Sequence, residues 1–120
     1  MARILIIDDE EELRDMLRLT LEAVGHDIEM ASDGQDGLER YREKPADLVI
    51  TDIVMPRKDG LETIEELRRD HPDVKIIALA AYGDSLLPMA TDLGADDAMR
   101  KPFSRRDLLE AVDGLLGENR

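Results

Sequence analysis

The stretch LVITDIVMPRKDG, residues 48–60, runs from a short apolar segment into a carboxylate, Asp52, and then into a turn. Its apolar part, residues 48–51, is typical of a strand that is covered on both faces of a sheet. RILIIDD at residues 3–9 has the same form and ends on Asp8 and Asp9. A buried strand gains nothing from a charge at its end unless a ligand needs that charge. The two stretches therefore predict buried strands that end at a polar site.

The same kind of apolar run recurs along the whole chain and alternates with amphipathic segments. The runs cover residues 3–7, 28–31, 48–51, 75–80 and 97–100. Between them, apolar residues recur at helical spacing, as in Leu61, Ile64 and Leu67. Gly25 is a typical helix end, and Ser104 is a typical N-cap for the last helix. Five strands alternating with five helices predict an α/β fold with a doubly wound parallel sheet.

The fourth helix falls in DSLLPMATDLG, residues 84–94, and contains Pro88. With Asp84 as the N-cap, Pro88 would take the fourth helical position, where its missing N–H removes the first intrahelical bond. The sequence therefore predicts that this helix starts late, near Pro88, or frays in its first turn.

Length and composition exclude several classes of protein. The 120 residues are expected to form one domain, residues 1–120, without an output domain. The chain has no cysteine, and its formal charge of −13 disfavours direct binding to nucleic acid. It has neither an apolar run of about 18 residues nor a signal-peptide pattern, so we expect a cytoplasmic protein without membrane contact. His26 and His71 are expected to be exposed loop residues, neither phosphodonors nor metal ligands.

Asp8, Asp9 and Asp52 are expected to meet at one edge of the sheet. If the strands take the flavodoxin-like order 2-1-3-4-5, the carboxyl ends of the first and third strands are neighbours at the switch point, where ligands bind. Ionised carboxylates about 4 Å apart repel each other by several kcal/mol, and a hard divalent cation such as Mg²⁺ relieves that repulsion. Lys101, in RKPF after the fifth run, would bring the positive charge that a phosphoryl group needs.

Three stretches, LIIDDEEELR, LVITDIVMPRKDG and LGADDAMRKPF, carry a resemblance to a known family. In this order and spacing, the chain resembles the receiver domain of two-component response regulators over essentially its whole length, most closely the single-domain, chemotaxis-regulator type. The resemblance implies the same flavodoxin-like sheet. It also implies that Asp52 accepts a phosphoryl group from a histidine kinase or histidine phosphotransfer protein, with Lys101 pairing to the phosphoryl oxygens. Mg²⁺ would be held by Asp52, by Asp9 directly, by Asp8 through water and by the backbone carbonyl of Val54.

The resemblance has further implications for the loops and for the output. Met55, Pro56 and Gly60 would shape the loop after Asp52, and the bond before Pro102 would be cis. The protein would catalyse only its own phosphorylation and dephosphorylation. Its signal would pass to an unknown downstream protein through the surface of the fourth helix, fifth strand and fifth helix.

Two positions depart from the family pattern. The family has Ser or Thr at the end of the fourth strand, where this chain has Ala80, and favours Tyr or Phe where it has Ala98. Tyr82 is a candidate to replace these switch residues. Because of these departures, one alternative is a degenerate receiver that works as a phosphorylation-independent interaction module. A Mg²⁺-dependent phosphatase with an aspartyl nucleophile is the other alternative, although such enzymes want a second acid where this chain has Val54.

Overall fold

A computed structural model describes residues 1–55, 58–81 and 86–117 of the protein. Five strands alternate with five helices along the described chain. In order they are β1 (Arg3–Ile7), α1 (Glu11–Glu22), β2 (Asp27–Ala31), α2 (Gly34–Glu43), β3 (Leu48–Asp52), α3 (Gly60–Asp70), β4 (Lys75–Ala80), α4 (Leu87–Leu93), β5 (Asp97–Arg100) and α5 (Arg105–Leu116).

The strands form one parallel sheet in the order β2-β1-β3-β4-β5, which confirms the predicted flavodoxin-like topology. In the register, Ile7 lies opposite Thr51, and Asp52 lies opposite Leu79. Asp52 is the last residue of β3 rather than the residue after it, because β3 pairs with β4 through that position. The carboxyl ends of β1 and β3 are therefore adjacent, as the sequence predicts.

Both faces of the sheet are covered, and this explains why the strand sequences are almost continuously apolar. Alternate residues of β1 point into two separate core clusters: Ile4 and Ile6 into one, Leu5 and Ile7 into the other. All five residues of β3 are buried. Each fully buried Ile or Leu contributes about 2 kcal/mol to the free energy of unfolding, so the two core clusters hold β1 and β3 firmly in place.

The expected exposure of the two histidines is wrong for His26. Its side chain is buried, with 8% of the residue exposed, and its Nδ1 accepts a hydrogen bond of 3.1 Å from the backbone N–H of Ala2. The chain needs this acceptor because the N–H of Ala2 is enclosed at the start of the sheet. His71 is half-buried, and its ring lies 4.5 Å from that of Tyr41.

The fourth helix starts late, as its sequence predicts. It begins at Leu87 with Pro88 in its first turn, and Leu86 at the N-cap provides no side-chain hydrogen bond. Proline is tolerated at this end of a helix because the first N–H groups have no intrahelical acceptor. The expected cap, Asp84, lies outside the described residues, as does Tyr82.

Arg68 of α3 ties the carboxyl end of α4 to the rest of the fold. Its guanidinium donates from Nη1 to the carbonyls of Pro72 and Val74, at 2.7 and 2.8 Å, and from Nε and Nη2 to the carbonyl of Gly94. Nη2 also donates to the carboxylate of Asp96 at 2.8 Å. One side chain thus satisfies three backbone carbonyls in two loops, a role that suits the fixed fork of five donors in arginine.

Replacing Arg68 with methionine is expected to lower the free energy of unfolding by about 2–3 kcal/mol, because hydrogen bonds from a charged donor are lost and partly buried carbonyls lose their partner. Arg69→Met is the matched control, since Arg69 is exposed and pairs with its neighbour Asp70 at the surface. Its effect on the free energy of unfolding should be negligible beside that of Arg68→Met, because an exposed ion pair contributes little to stability. Urea unfolding of both variants measures the difference. Equal midpoints for the two variants would contradict a special role of Arg68.

Candidate functional site

Asp8 and Asp52 lie side by side at the carboxyl edge of the sheet. Asp8 directly follows β1, its side chain is fully buried, and its backbone N–H donates to the carbonyl of Ala31 at 3.1 Å. Asp52 ends β3 and is also buried, and its Oδ1 accepts a hydrogen bond of 2.9 Å from the N–H of Ile53. Two carboxylates are thus placed by backbone pairing in neighbouring strands, with little freedom to move apart.

Lys101 lies between these carboxylates. It follows β5, and its backbone N–H donates to the carbonyl of Ala80 at 2.8 Å. Its Nζ is 3.2 Å from an oxygen of Asp8, 3.3 Å from an oxygen of Asp52 and 3.0 Å from an oxygen of Glu10. The bond between Lys101 and Pro102 is cis, in agreement with the expectation from the resemblance.

The charges at this edge do not balance. Burial and, after it, the charge of Asp8 raise the pKa of Asp52 to about 6, although Lys101 and the hydrogen bond from Ile53 act in the opposite direction. Burial likewise raises the pKa of Asp8. Burial lowers the pKa of Lys101, but its pairing with Glu10 and the charges of Asp8 and Asp52 outweigh that effect and raise the pKa overall. One ammonium group faces three acids, so the site has room for further positive charge.

The donor set fits a hard divalent cation. One carboxylate oxygen each from Asp8, Glu10 and Asp52 lies within 4.8 Å of the other two. Mg²⁺ prefers oxygen ligands, and it is commonly held by one or two carboxylates while it keeps several waters. One or two of these three carboxylates would therefore be enough for a magnesium site, with water as the other ligands.

Glu10 belongs to this cluster, although its sequence context does not predict a place there. It stands in the acidic run DDEEE, in which a glutamate at the start of a helix is normally a solvated residue. At the N-cap of α1 its carboxylate makes no capping bond and instead pairs with Lys101. Only the fold brings residue 10 beside residue 101, so no local signal in the sequence could have found the pair.

Asp9 and Val54 are not buried as Asp8 is, but lie on an open cavity beside it. Asp9 is exposed, and it is not among the clustered carboxylates. It does line, with Val54, Asp52 and Lys101, an open cavity of about 680 Å³ at the edge of the sheet. The side chain of Val54 is exposed. Glu10 lines it as well, and the remaining lining is apolar, contributed by Leu13, Met16, Ala81, Pro102 and Phe103.

The loop after β3 returns to α3 against the backbone of Asp52. The N–H of Gly60 donates to the carbonyl of Ile53 at 2.6 Å, and Asp59 caps α3 by accepting from the N–H of Glu62 at 3.0 Å. A Cβ atom on Gly60 would lie 1.9 Å from the carbonyl oxygen of Asp52, so only glycine fits there. Met55 is buried in the loop, and Pro56 lies outside the described residues.

The two switch positions carry small apolar side chains in the structure. Ala80 ends β4 and is fully buried, and Ala98 lies in β5, half-buried, opposite Ala78. Neither methyl group can donate a hydrogen bond to a ligand in the cavity. The third candidate, Tyr82, lies outside the described residues.

A family model described as "Response regulator receiver domain" matches residues 4–113. The chain belongs to this family of receiver domains. Among curated relatives, response regulator RR06 of Streptococcus pneumoniae is 39% identical over 114 residues, which cover 94% of this chain and 52% of that protein. The alkaline phosphatase synthesis transcriptional regulatory protein PhoP of Bacillus subtilis is 36% identical over 95% of this chain and 48% of its own length.

Solved receiver domains have the same fold. A response regulator receiver domain protein from Clostridium thermocellum has a TM-score of 0.91 at 31% identity, covering 98% of this chain and 96% of that one. The response regulator TrrA of Thermotoga maritima, solved in complex with Mg²⁺ and BeF, has a TM-score of 0.88 at 37% identity, with coverages of 96% and 99%.

These likenesses place the receiver domain in two-component signalling, where such domains serve as signalling modules. The chain spans about half the length of the curated relatives named above. Within residues 1–55, 58–81 and 86–117, none of the helices combines the length and apolar content needed to cross a membrane.

The raised pKa of Asp52 gives the receiver domain a pH-dependent stability. Because this pKa moves from 3.8 to about 6, the folded chain binds a proton more readily than the unfolded chain between these values. In metal-free solution the free energy of unfolding should therefore fall as the pH rises from about 4 through about 6. The expected effect is on the order of 1–2 kcal/mol, because water at the mouth of the site screens part of the shift.

Urea unfolding across this pH range, for the wild type and Asp52→Asn, measures the effect. The asparagine variant lacks the titrating group, so its stability should vary less with pH. The same pH dependence in both proteins would show that Asp52 does not titrate as expected.

Proposed function

We propose that this receiver domain accepts a phosphoryl group on Asp52, from a histidine kinase or a histidine phosphotransfer protein, as a member of a phosphorelay. One observation carries the proposal. Asp52 ends a buried strand and lines an open cavity, and its carboxylate lies 3.3 Å from the ammonium group of Lys101 and beside a second buried carboxylate, Asp8. This is an anionic nucleophile in a place where a further negative group can be neutralised.

In the proposed transfer, a carboxylate oxygen of Asp52 forms a bond to phosphorus while the bond from phosphorus to the donor's imidazole nitrogen breaks. The electron pair of that bond stays on the imidazole nitrogen, which takes up a proton. Phosphoryl transfer depends mainly on positioning and on neutralising the oxygens of the transferred group. Lys101 supplies a fixed positive charge for this purpose, and its pairing with Asp52 already places it at the reacting end of the side chain.

A Mg²⁺ ion would supply the rest of the positive charge. We propose that it is held by Asp52, by Asp9, by the carbonyl of Val54 and, through water, by Asp8. The closeness of the Asp8 and Asp52 oxygens and the position of Asp9 and Val54 on the same cavity as Asp52 support this ligand set. The relative TrrA, whose solved complex contains Mg²⁺ and BeF, supports the same kind of site.

The wider role follows from the same proposal. The domain would catalyse only its own phosphorylation and dephosphorylation, in the cytoplasm, without contacting nucleic acid or membrane itself. It would signal to a downstream protein through the surface formed by α4, β5 and α5. The response of that surface would differ from the one that the family pattern implies, because Ala80 and Ala98 stand where that pattern has a hydroxyl and an aromatic residue.

A second candidate function is favoured by those two alanines. A receiver domain without the usual switch residues could act as an interaction module whose contacts do not depend on phosphorylation. Incubation with a small-molecule phosphodonor, with and without Mg²⁺, followed by intact mass measurement, separates the two functions. The proposed function requires the addition of one phosphoryl group that depends on the metal. No addition in the presence of Mg²⁺ would favour the interaction module.

A further inference from the structure

The ammonium group of Lys101 donates hydrogen bonds to Asp8 and Glu10 and forms an ion pair with Asp52 as well. An ammonium group has three N–H bonds, and Nζ lies within pairing distance of three different carboxylates, those of Asp8, Glu10 and Asp52. A phosphoryl group on Asp52 would extend past the carboxylate and carry additional negative oxygens. Because these oxygens lie further out than the present carboxylate of Asp52, Lys101 has to move outwards to bind them, which draws its ammonium group away from Asp8 or Glu10.

The three partners differ in what their loss would cost. The side chain of Asp8 is fully buried, so the loss of Lys101 would leave it a buried charge without its counter-ion. Asp52 loses its own carboxylate charge when it becomes an acyl phosphate, and Lys101 then pairs with the phosphoryl oxygens instead. The side chain of Glu10 is 62% exposed, and water can replace the ammonium group there. Of the two partners that stay charged, Glu10 is therefore the one that Lys101 releases at the lower cost, although its contact is the shorter of the two.

The backbone of Glu10 is fixed at the site while its side chain extends towards solvent. Its N–H donates to Oδ1 of Asp8 at 2.8 Å, and its carboxylate makes no capping bond to α1. The carboxylate is thus held close to Lys101 without another hydrogen-bonding role in the described structure. Such a group can bind and release the ammonium group without disturbing the helix.

From this arrangement we propose that Glu10 is a positioning residue that acts through Lys101. It holds the ammonium group back in the resting form and yields it to the phosphoryl group, so it slows phosphoryl uptake. This inference rests on the proposed transfer to Asp52. In this role Glu10 competes with the phosphoryl group for the ammonium group of Lys101 and is not a metal ligand.

The test compares Glu10→Gln with Glu11→Gln. Both variants remove one negative charge from adjacent residues, and Glu11 is an exposed residue in the first turn of α1. The long-range charge of the domain is therefore matched. The rate of phosphorylation by phosphoramidate, at saturating Mg²⁺, should rise about fivefold in Glu10→Gln, the size expected for an exposed ion pair, and by less than about twofold in Glu11→Gln.

Two results would overturn the proposal. Equal rates in the two variants would mean that only the overall charge matters. A large loss of Mg²⁺ affinity in Glu10→Gln, with an unchanged rate at saturating metal, would make Glu10 a metal ligand instead. The Mg²⁺ affinity is measured separately by titration in the absence of the phosphodonor.

If the wild type takes up no phosphoryl group, that result counts against the proposed function alone. The pairing of Glu10 with Lys101 can still be tested by a measurement that needs no phosphorylation. The ¹⁵N–¹H signal of the Lys101 ammonium group, assigned with Lys101→Arg, reports its hydrogen bonds directly. It should shift and exchange faster with water in Glu10→Gln and stay unchanged in Glu11→Gln. An unchanged Lys101 signal in Glu10→Gln would overturn the role of Glu10.

Discussion

Asp52→Asn is expected to abolish phosphoryl uptake completely, measured by intact mass after incubation with a small-molecule donor and Mg²⁺. An amide oxygen of asparagine is a far weaker nucleophile than a carboxylate and cannot form the same acyl phosphate. The backbone position of residue 52 should not change, because it is set by the pairing of β3 with β1 and β4. The loss should therefore reflect chemistry rather than misfolding.

Stability measurements distinguish these two causes. Asparagine removes the repulsion between the buried carboxylates of Asp52 and Asp8, so metal-free Asp52→Asn should unfold at the same or a higher urea concentration than the wild type at neutral pH. Asp70→Asn is the matched control, since Asp70 is an exposed residue at the end of α3. It should take up the phosphoryl group at the wild-type rate.

Asp9→Ala or chelation of the metal should suppress uptake in otherwise wild-type protein.

A phosphoryl group that persists on folded Asp52→Asn would contradict the assignment of Asp52. Uptake at the wild-type rate in the presence of a chelator would contradict the requirement for metal, while it would leave the nucleophile unchanged.

The sequence predicts the fold and the centre of this site well, because both depend on local patterns. The apolar run at residues 48–51 has the length of a single buried strand. The alternation of such runs with amphipathic segments is typical of an α/β fold with a parallel sheet. The late start of α4 follows from Pro88 alone, since a missing N–H is a local property. Asp8, Asp52 and Lys101 meet as predicted, because each stands at the carboxyl end of a strand.

The features that the sequence does not predict depend on contacts between distant residues. Glu10 pairs with Lys101 across 91 positions, and its own neighbourhood indicates only a solvated helix end. His26 is buried because its Nδ1 meets the N–H of Ala2, a contact that no spacing rule describes. Arg68 reaches Gly94 across 26 positions and resembles any other arginine on a helix surface. In each case a polar group pairs with a residue that is close to it only in the folded chain.

Gly60→Ala should cause the largest loss of stability among the variants considered. The added methyl group would lie 1.9 Å from the carbonyl oxygen of Asp52 and 2.7 Å from Cα of Ile53, and both are backbone atoms that no side-chain rotation can move. Either the start of α3 or the end of β3 has to shift, and the hydrogen bond between Gly60 and Ile53 is lost. We expect the free energy of unfolding to fall by more than about 3 kcal/mol.

The same substitution elsewhere in the chain provides the control. Gly114 lies in α5, and a Cβ atom built on it meets no atom within 4 Å. Gly114→Ala should therefore raise the free energy of unfolding by up to about 1 kcal/mol, because alanine favours the helix more than glycine does. Urea unfolding of the two variants should give effects of opposite sign.

The clash in Gly60→Ala is with residue 52 itself. The fraction that remains folded should therefore also take up the phosphoryl group more slowly, whereas Gly114→Ala should react like the wild type. A Gly60→Ala variant that is as stable as the wild type would show that α3 does not need this close approach to the backbone of Asp52.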